Sequence, residues 1–528
     1  MAIIPKISGA FSIKAKALLF ALLIILVLIL HYPMSFNEIG WDSFGIHLLA
    51  NSLSELGYAK WWISTLSVFG MYPYSISSAV PFLLSSISQT TGIEMDFSIF
   101  LVSILLGLLS IFTSYMMASA IFKDEIYKFL VAFTYATSQG VLFYTTWTAG
   151  TRALFIVLLP LFIYLLLSSL KSIKYTTLTI FMFLLLTATH KMYYFIFPLI
   201  ASFLLVSFCQ KIKTNKLKEE TNILLSILLC FGFLITLLIP FFTRTFMQST
   251  SRYESIIMMI FGYIRYNGIA IVFIIGGYAY TILKSNKNNS EWFILLSLML
   301  LAPLFYIVTY MKWFILSFFA IFAGIGIKNL INTNNGSKII PIVLIIFIIF
   351  TGYYQFMHFS DTSQPNERSL NEPIYFAGFW SKNHISPQYN MVSHNSYTGE
   401  RVASVSKIPT MIGTEVVDYT YGFVDESILK DINRLPLTSL KTYFDSPYII
   451  QNTSVKTSWY IENTFRYRTI EIAMPVISEL NLSYMIEDNK RGTSIFLNSL
   501  SETSDKYYDN GRICIWALNK QEGKKTWN

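Results

Sequence analysis

Eleven apolar runs, most of them about as long as a bilayer is thick, fill the first two thirds of this chain. They lie at residues 17–32, 97–121, 128–148, 152–170, 174–190, 192–209, 222–242, 257–283, 292–310, 312–328 and 338–357. A helix of about 20 residues crosses roughly 30 Å of hydrocarbon, and longer or shorter runs adjust by tilt. The chain as a whole is 54% hydrophobic and 13% charged, about half the charge of an ordinary soluble domain. Water does not solvate so much apolar surface; lipid does, provided each spanning segment closes its own backbone hydrogen bonds. The sequence therefore predicts a polytopic α-helical membrane protein with about eleven spans over residues 1–357.

The polar residues between the runs set an orientation. No small-residue cleavage site follows His31-Tyr32-Pro33, so the first run reads as an uncleaved helix with a cytoplasmic N-terminus. On that reading the inner loops carry fifteen basic residues, all Lys, from Lys6 to Lys338. The outer side carries seven: Lys60, Arg152, Lys191, Arg244, Arg252, Arg265 and Lys312. This follows the positive-inside rule. Four of the seven outer bases are Arg, whose rigid fork suits phosphate better than a Lys point charge does. Residues 1–357 hold 22 Lys/Arg against 11 Asp/Glu, while residues 358–528 hold 17 against 19. The basic excess thus belongs to membrane loops, which argues against nucleic acid as a partner. Cys209, Cys230 and Cys514 form no disulfide framework, and no Cys/His cluster has zinc spacing.

Beyond Tyr354 the hydropathy collapses. Residues 361–373 read as a linker, and residues 358–528 as an extracytoplasmic α/β domain. Strands are expected at Ile385–Val392, Val402–Ile412, Tyr484–Ile486, Ser494–Leu497 and Arg512–Leu518, and helices at Ser427–Leu435 and Asn463–Leu480.

The first outer loop, residues 33–95, holds the densest set of reactive side chains. From Asn37 to Gly57 the positions Phe44, Leu48, Leu49, Leu53 and Leu56 recur at helical spacing, which predicts an amphipathic helix lying on the outer surface. Glu38, Trp41, Asp42 and His47 gather at its start, where a carboxylate also suits the helix dipole. A turn at Gly70-Met-Tyr72-Pro73-Tyr74 precedes a second helix ending at Thr91-Gly92. His190-Lys191 falls between two helices with almost no loop.

In this order the features resemble the GT-C superfamily of membrane glycosyltransferases, which use sugars carried on polyprenyl phosphates. An uncleaved first helix leads into a long outer loop. Acidic residues open an amphipathic helix ending in Leu56-Gly57, and the Tyr72-Pro73 turn precedes a helix ending in Thr91-Gly92. Helix pairs and an outer C-terminal domain follow. The closing stretch Tyr507–Trp516 is similar to the terminal strands of archaeal and bacterial members. The resemblance implies that Asp42 is the catalytic carboxylate, with Glu38 and His47 beside it and Trp41 and Tyr72 on the acceptor side. Placement on the outer face, against the orientation bias, makes Arg152, Lys191, Arg244, Arg252 and Arg265, with His190 at the short outer corner, the candidates to meet the donor phosphate. The implied partners are a polyprenyl-phosphate sugar, a glycan, lipid or protein acceptor, and membrane lipid. Chemically, a positioned carboxylate takes the proton of an attacking hydroxyl, and cationic donors stabilise the departing phosphate.

This sequence also departs from the oligosaccharyltransferase branch. Trp61-Trp62 is not followed by the acceptor motif, and the second outer loop, Thr148-Ala-Gly-Thr-Arg152, has a base where acids are expected. No metal is therefore assigned. A diphosphate donor with Mg²⁺ or Mn²⁺ is the alternative within the superfamily, and a transporter or flippase is the alternative outside it. Transporters place ionisable groups near the midplane and often show internal repeats; here the charges stand at helix ends and no repeat is found. A membrane scaffold leaves the acidic loop and the outer arginines unexplained.

Overall fold

The computed structural model describes residues 13–32, 35, 37–40, 42–59, 77–212, 219–245, 255–333, 336–359, 369–412, 465, 467–479, 481–492 and 494–518. They fall into two compact units. One comprises Met1–Met34, Leu101–Trp147 and Thr151–Ser363; the other comprises Ser35–Phe100, Thr148–Gly150 and Gln364–Asn528.

In the first unit every apolar run is helical. Six of the described helices are long and apolar enough to cross a membrane: Met95–Ile121, Thr151–Lys171, Lys191–Cys209, Ile223–Phe242, Met311–Ile331 and Ile339–Met357. A seventh span arises if the pair Ile256–Asn267 and Ala270–Leu283, bent by 97°, counts as one. Among the described residues, six or seven helices thus meet the length and hydropathy of a span, and the other apolar runs form shorter or broken helices. Gly268 takes φ +54° at the bend, and Ser138, whose side chain accepts from the Val141 amide, starts a new helix inside the run at 128–148. Two further apolar helices, Ile173–Thr189 and Asn289–Phe305, are short.

Small residues set the closest packing. A Cβ at Gly277 would lie 1.9 Å from the Phe322 carbonyl oxygen, and one at Gly326 would lie 2.2 Å from that of Phe273. Only glycine lets helices Ala270–Leu283 and Leu316–Ile331 cross this tightly. Lysines of the expected inner side are tied to acids. Lys128 and Lys16 reach Glu125 at 2.9 and 3.7 Å, Lys328 reaches Asp124 at 3.0 Å, and Lys284 reaches the buried Glu291 at 2.7 Å.

The second unit is built on a five-stranded sheet of order β2-β1-β3-β5-β4, with β1 Asn390–Ser393, β2 Thr410–Ile412, β3 Leu482–Asp488, β4 Lys506–Asp509 and β5 Ile513–Ala517. The pairs β1–β2 and β1–β3 are parallel; β3–β5 and β4–β5 are antiparallel. One core cluster contains Met485, Cys514, Phe496 and Val476. The other contains Ile486, Ile513, Ile515, Met391, Val402 and, from the first loop, Phe44.

Several expected strands are corrected here. Val402–Ile412 is mostly helix, Ser396–Ser406, because the Asn395 side chain caps it through the Thr398 amide; only Thr410–Ile412 is strand. Ser494–Leu497 opens the helix Ile495–Thr503, with Ser494 as its cap. The expected strand Ile385–Val392 is strand only from Asn390 onward, since Ile385 ends the helix Glu372–His384. Strand β4, Lys506–Asp509, is absent from the strands expected by alternation, because an exposed edge strand lacks an apolar signal, although the stretch Tyr507–Trp516 that resembles terminal strands covers most of it. The helix expected at Asn463–Leu480 is seen as Ile470–Glu479, and Ser427–Leu435 lies outside the described residues.

The reading of residues 43–56 as a surface helix is also corrected. The helix Ser43–Leu56 exists and ends at Gly57 with φ +74°, but Ser43 through Leu53 are all buried. The helices Ala79–Thr91 and Ser396–Ser406 pack on it, and Glu38 and Ala149 bond to its N-terminal turns.

Candidate functional site

The acid segment of the first loop is organised around Glu38, which is 1% exposed. Its two carboxylate oxygens serve different partners. Oε1 stands 2.6 Å from His47 Nδ1, and Oε2 accepts from Ser43 Oγ at 2.9 Å. The Glu38 amide donates to Asn37 Oδ1 at 2.8 Å. Ser43 in turn accepts from the Ala149 amide at 2.8 Å. A buried carboxylate is costly unless its lone pairs are satisfied, and here both oxygens are engaged.

The backbone makes this possible at Gly40. Its φ is +127°, and a Cβ there would lie 2.9 Å from Thr148 Cγ2 and 3.2 Å from Ser43 Cβ. The chain reverses at Gly40, so that Glu38 returns over the first turn of the helix and meets His47 one turn on.

Asp42 stands at the helix N-terminus. It is exposed, and its side chain makes no capping hydrogen bond, so capping does not account for it. Asp96, in the first turn of Met95–Ile121, accepts from the Phe97 amide at 2.8 Å and lies within electrostatic reach of His47 and Glu38.

In the other unit, Arg152 is held by aromatic rings. Its guanidinium carbon lies 5.0 Å from the Tyr310 ring centroid and 5.5 Å from those of Tyr144 and Trp313, and Nη1 donates to Tyr144 Oη at 3.1 Å. A second cation shares the indole: Lys312, 3% exposed, has Nζ 4.7 Å from the Trp313 ring and 5.6 Å from that of Tyr266. Gly262 makes room for its stem, since a Cβ there would meet Lys312 Cδ at 3.0 Å. His190 packs edge-on against Tyr310 at 5.0 Å, and its Nδ1 accepts from the Met192 amide at 3.1 Å. Lys191 opens the next short helical turn and is half-buried.

Desolvated cations over aromatic faces gain about 2 kcal/mol or more each. Two cations converging on one buried indole also repel each other, and an anion between like charges relieves that repulsion. The cage is therefore suited to an anionic group.

Other expected phosphate contacts stand elsewhere. Arg244 is exposed with φ +56° at the end of the helix Glu219–Phe242. Arg265 is exposed and donates to Tyr354 Oη at 3.0 Å. Arg265 also lies 6.0 Å from the Tyr266 ring, which packs against Trp313 and is shared with Lys312, so it borders the Arg152 aromatic cluster. Arg252, Trp41 and Tyr72 lie outside the described residues.

Sequence reasoning missed Ser43, Tyr144, Tyr310 and Trp313, and left Lys312 out of the site. The run Tyr310-Met311-Lys312-Trp313 carried a signal: a lone Lys flanked by large aromatics between two apolar helices. Among the described residues no three His, Cys, Asp or Glu side chains form a metal-ligand group.

No family model matches the chain, and no curated protein matches it in sequence. Solved structures do resemble it in fold. The Archaeoglobus fulgidus oligosaccharyltransferase in complex with zinc and sulfate has a TM-score of 0.58 at 12% identity, covering 95% of this chain and 73% of that one. The archaeal oligosaccharyltransferase AglB from the same organism, in complex with an inhibitory peptide and a dolichol-phosphate, gives 0.53 at 10% identity, covering 96% and 74%. ArnT from Cupriavidus metallidurans, bound to undecaprenyl phosphate, gives 0.50 at 9% identity, covering 97% and 99%.

Proposed function

We propose that this chain, a multi-pass membrane protein with the GT-C glycosyltransferase fold, transfers a sugar from a polyprenyl-phosphate donor to a hydroxyl acceptor at the outer face of a cell membrane. The observation that carries the reading is chemical: an acid segment built on buried Glu38 and His47, with Asp42 exposed beside it, in a chain that also builds a cationic aromatic cage around Arg152. Acid and cation are the two functions that glycosyl transfer from a lipid phosphate requires.

In the proposed step the acceptor oxygen attacks the anomeric carbon and the bond from that carbon to the phosphate oxygen breaks. The bonding pair leaves with the phosphate, and the acceptor proton passes to the Asp42 carboxylate. The products are the glycosylated acceptor, with inverted configuration, and the polyprenyl phosphate. Arg152 and Lys312 neutralise the charge that builds on the leaving group, with His190 and Lys191 supporting them. Glu38 fixes the His47 ring through Nδ1 and so leaves Nε2 for the reacting groups, as carboxylates orient catalytic imidazoles generally. Acceptors in this reading are glycan, lipid or protein hydroxyls. The N-terminus is cytoplasmic and residues 358–528 are extracytoplasmic. Arg244, Arg252 and Arg265 are further donor-phosphate contacts in this reading, with lipid headgroups as the alternative ligand.

The test is transfer from purified donor by the Asp42→Asn variant. Loss of a general base costs about 10²–10⁴-fold in rate, and near-normal transfer by a well-expressed variant removes Asp42 from the mechanism.

One observation favours a second reading. A carboxylate on the Nδ1 of a histidine is also how proteins prepare an imidazole to bind a metal. An oligosaccharyltransferase-like diphosphate donor would then accompany a divalent cation near Glu38, Asp42, His47 and Asp96. Transfer in EDTA separates the two. Activity that persists supports the monophosphate donor; activity lost and restored by Mg²⁺ or Mn²⁺ supports the metal.

A further inference from the structure

We propose that Arg401 is the positioning residue of the acid segment, holding the stretch from Glu38 to Ser43 at both ends and through it the Glu38–His47 pair. The inference rests on the reading of that pair as part of the site.

Arg401 is 1% exposed and among the largest fully buried side chains of the described residues. It belongs to the helix Ser396–Ser406, far along the chain from the first loop, yet it reaches both flanks of Gly40. On one flank its Nε donates to the Ser369 carbonyl at 3.4 Å, and Ser369 pairs antiparallel with Ile39, the residue after Glu38. On the other flank its guanidinium carbon lies 4.4 Å from the centroid of the Phe44 ring, the residue after Ser43. Phe44 is 0% exposed. Nη1 donates to the Tyr397 carbonyl at 2.8 Å, and the guanidinium also covers the Tyr397 ring at 4.7 Å.

Burying a guanidinium costs far more than burying an aliphatic side chain of similar volume. A position that only filled space would hold Leu or Met. The planar fork instead binds a carbonyl and stacks on a ring at once, which Lys does in part and Met not at all. The six-residue interval between Glu38 and Ser43 also contains Gly40, the most pliable backbone position, so it needs an external clamp.

The test uses the full chain in lipid nanodiscs with Arg401→Met and Arg401→Lys. Histidine labelled with ¹⁵N reports the ring nitrogens directly; the chain has six His, and His47→Gln assigns the signal. Glu38→Gln provides the reference in which the carboxylate partner is lost. If Arg401 positions the pair, Arg401→Met moves the His47 signals toward those of Glu38→Gln, and Arg401→Lys moves them part of the way. Turnover falls about 10²-fold in Arg401→Met, the scale of an ångström-sized misplacement, with donor KM nearly unchanged, and Arg401→Lys recovers part of it. His47 signals in both variants that overlay those of the native protein overturn the proposal. The nuclear signal needs no enzymatic activity, so a chain that transfers no sugar refutes the proposed function without touching this inference.

Discussion

Ser43 Oγ receives the Ala149 amide hydrogen at 2.8 Å and gives its own to Glu38 Oε2 at 2.9 Å. One hydroxyl thus joins the first loop to a segment 106 residues later. Ser43→Ala leaves a carboxylate oxygen and an amide short of a partner, and Glu38, Ser43 and Ala149 are all buried. Such a loss costs about 1–3 kcal/mol. The expected outcome is a lower unfolding midpoint in detergent together with reduced turnover. A variant matching the native protein in both would show that Glu38 does not depend on Ser43.

Arg152 and Lys are not interchangeable in this cage. The guanidinium lies over three rings and donates to Tyr144 Oη at 3.1 Å. Arg152→Ala is expected to weaken donor use by about 1.5–3 kcal/mol, the range for a charge-assisted contact. Arg152→Lys keeps the charge but loses the planar stack, and recovers only part. Donor titrations at fixed acceptor measure this, and full recovery by Lys would reduce the role of Arg152 to charge alone.

How much of this was legible depended on the range of the interaction involved. Leu56-Gly57 and Thr91-Gly92 were readable as helix ends because left-handed glycine caps are local; both glycines take positive φ, +74° and +72°. The apolar runs were readable for the same reason, since hydropathy is a property of a window. What failed was long-range. Phe44 looked like part of the apolar face of a surface helix, but it belongs to a core cluster with Ile374, Val402 and Ile486, more than three hundred residues away. The Val402–Val405 segment looked like a strand until the Asn395 cap decided otherwise. Glu38 was readable as an acid near His47. That it is buried and bound, while Asp42 is exposed, followed only from Gly40 and the fold of residues 148–150 onto the helix.

Gly40 makes that arrangement directly testable. Its φ of +127° excludes side chains, and a Cβ would also press on Thr148 Cγ2 at 2.9 Å. Gly40→Ala therefore combines backbone strain of about 1–3 kcal/mol with a steric clash. Thr148→Ser removes the clash and leaves the strain. The double variant Gly40→Ala/Thr148→Ser should recover part of the lost thermal stability, and no recovery would assign the whole defect to the backbone.

Acid should open the second unit from the β3–β5 seam. Asp488, at the end of β3, is 0% exposed. Burial pushes its carboxyl upward, but Arg512, Thr398 Oγ1 and the Lys490 amide outweigh that effect and hold it below the ordinary value of 3.8. Thr398 donates at 2.8 Å, and Arg512 Nε and Nη2 donate at 3.3 Å each. A carboxyl whose folded-state pKa is depressed binds protons more readily when unfolded. Its contribution is therefore full above the unfolded value and is lost as pH falls through the folded one. Cys514, in β5 and 0% exposed, reports the opening. In a Cys209→Ser/Cys230→Ser background, the rate at which 4,4′-dithiodipyridine modifies Cys514 should rise as pH falls below about 4. Asp488→Asn should react faster than the parent at pH 6 and show a flatter pH dependence, so that the two rates converge in acid. Parallel pH profiles for the two proteins would mean that the Asp488–Arg512 pair does not govern this seam.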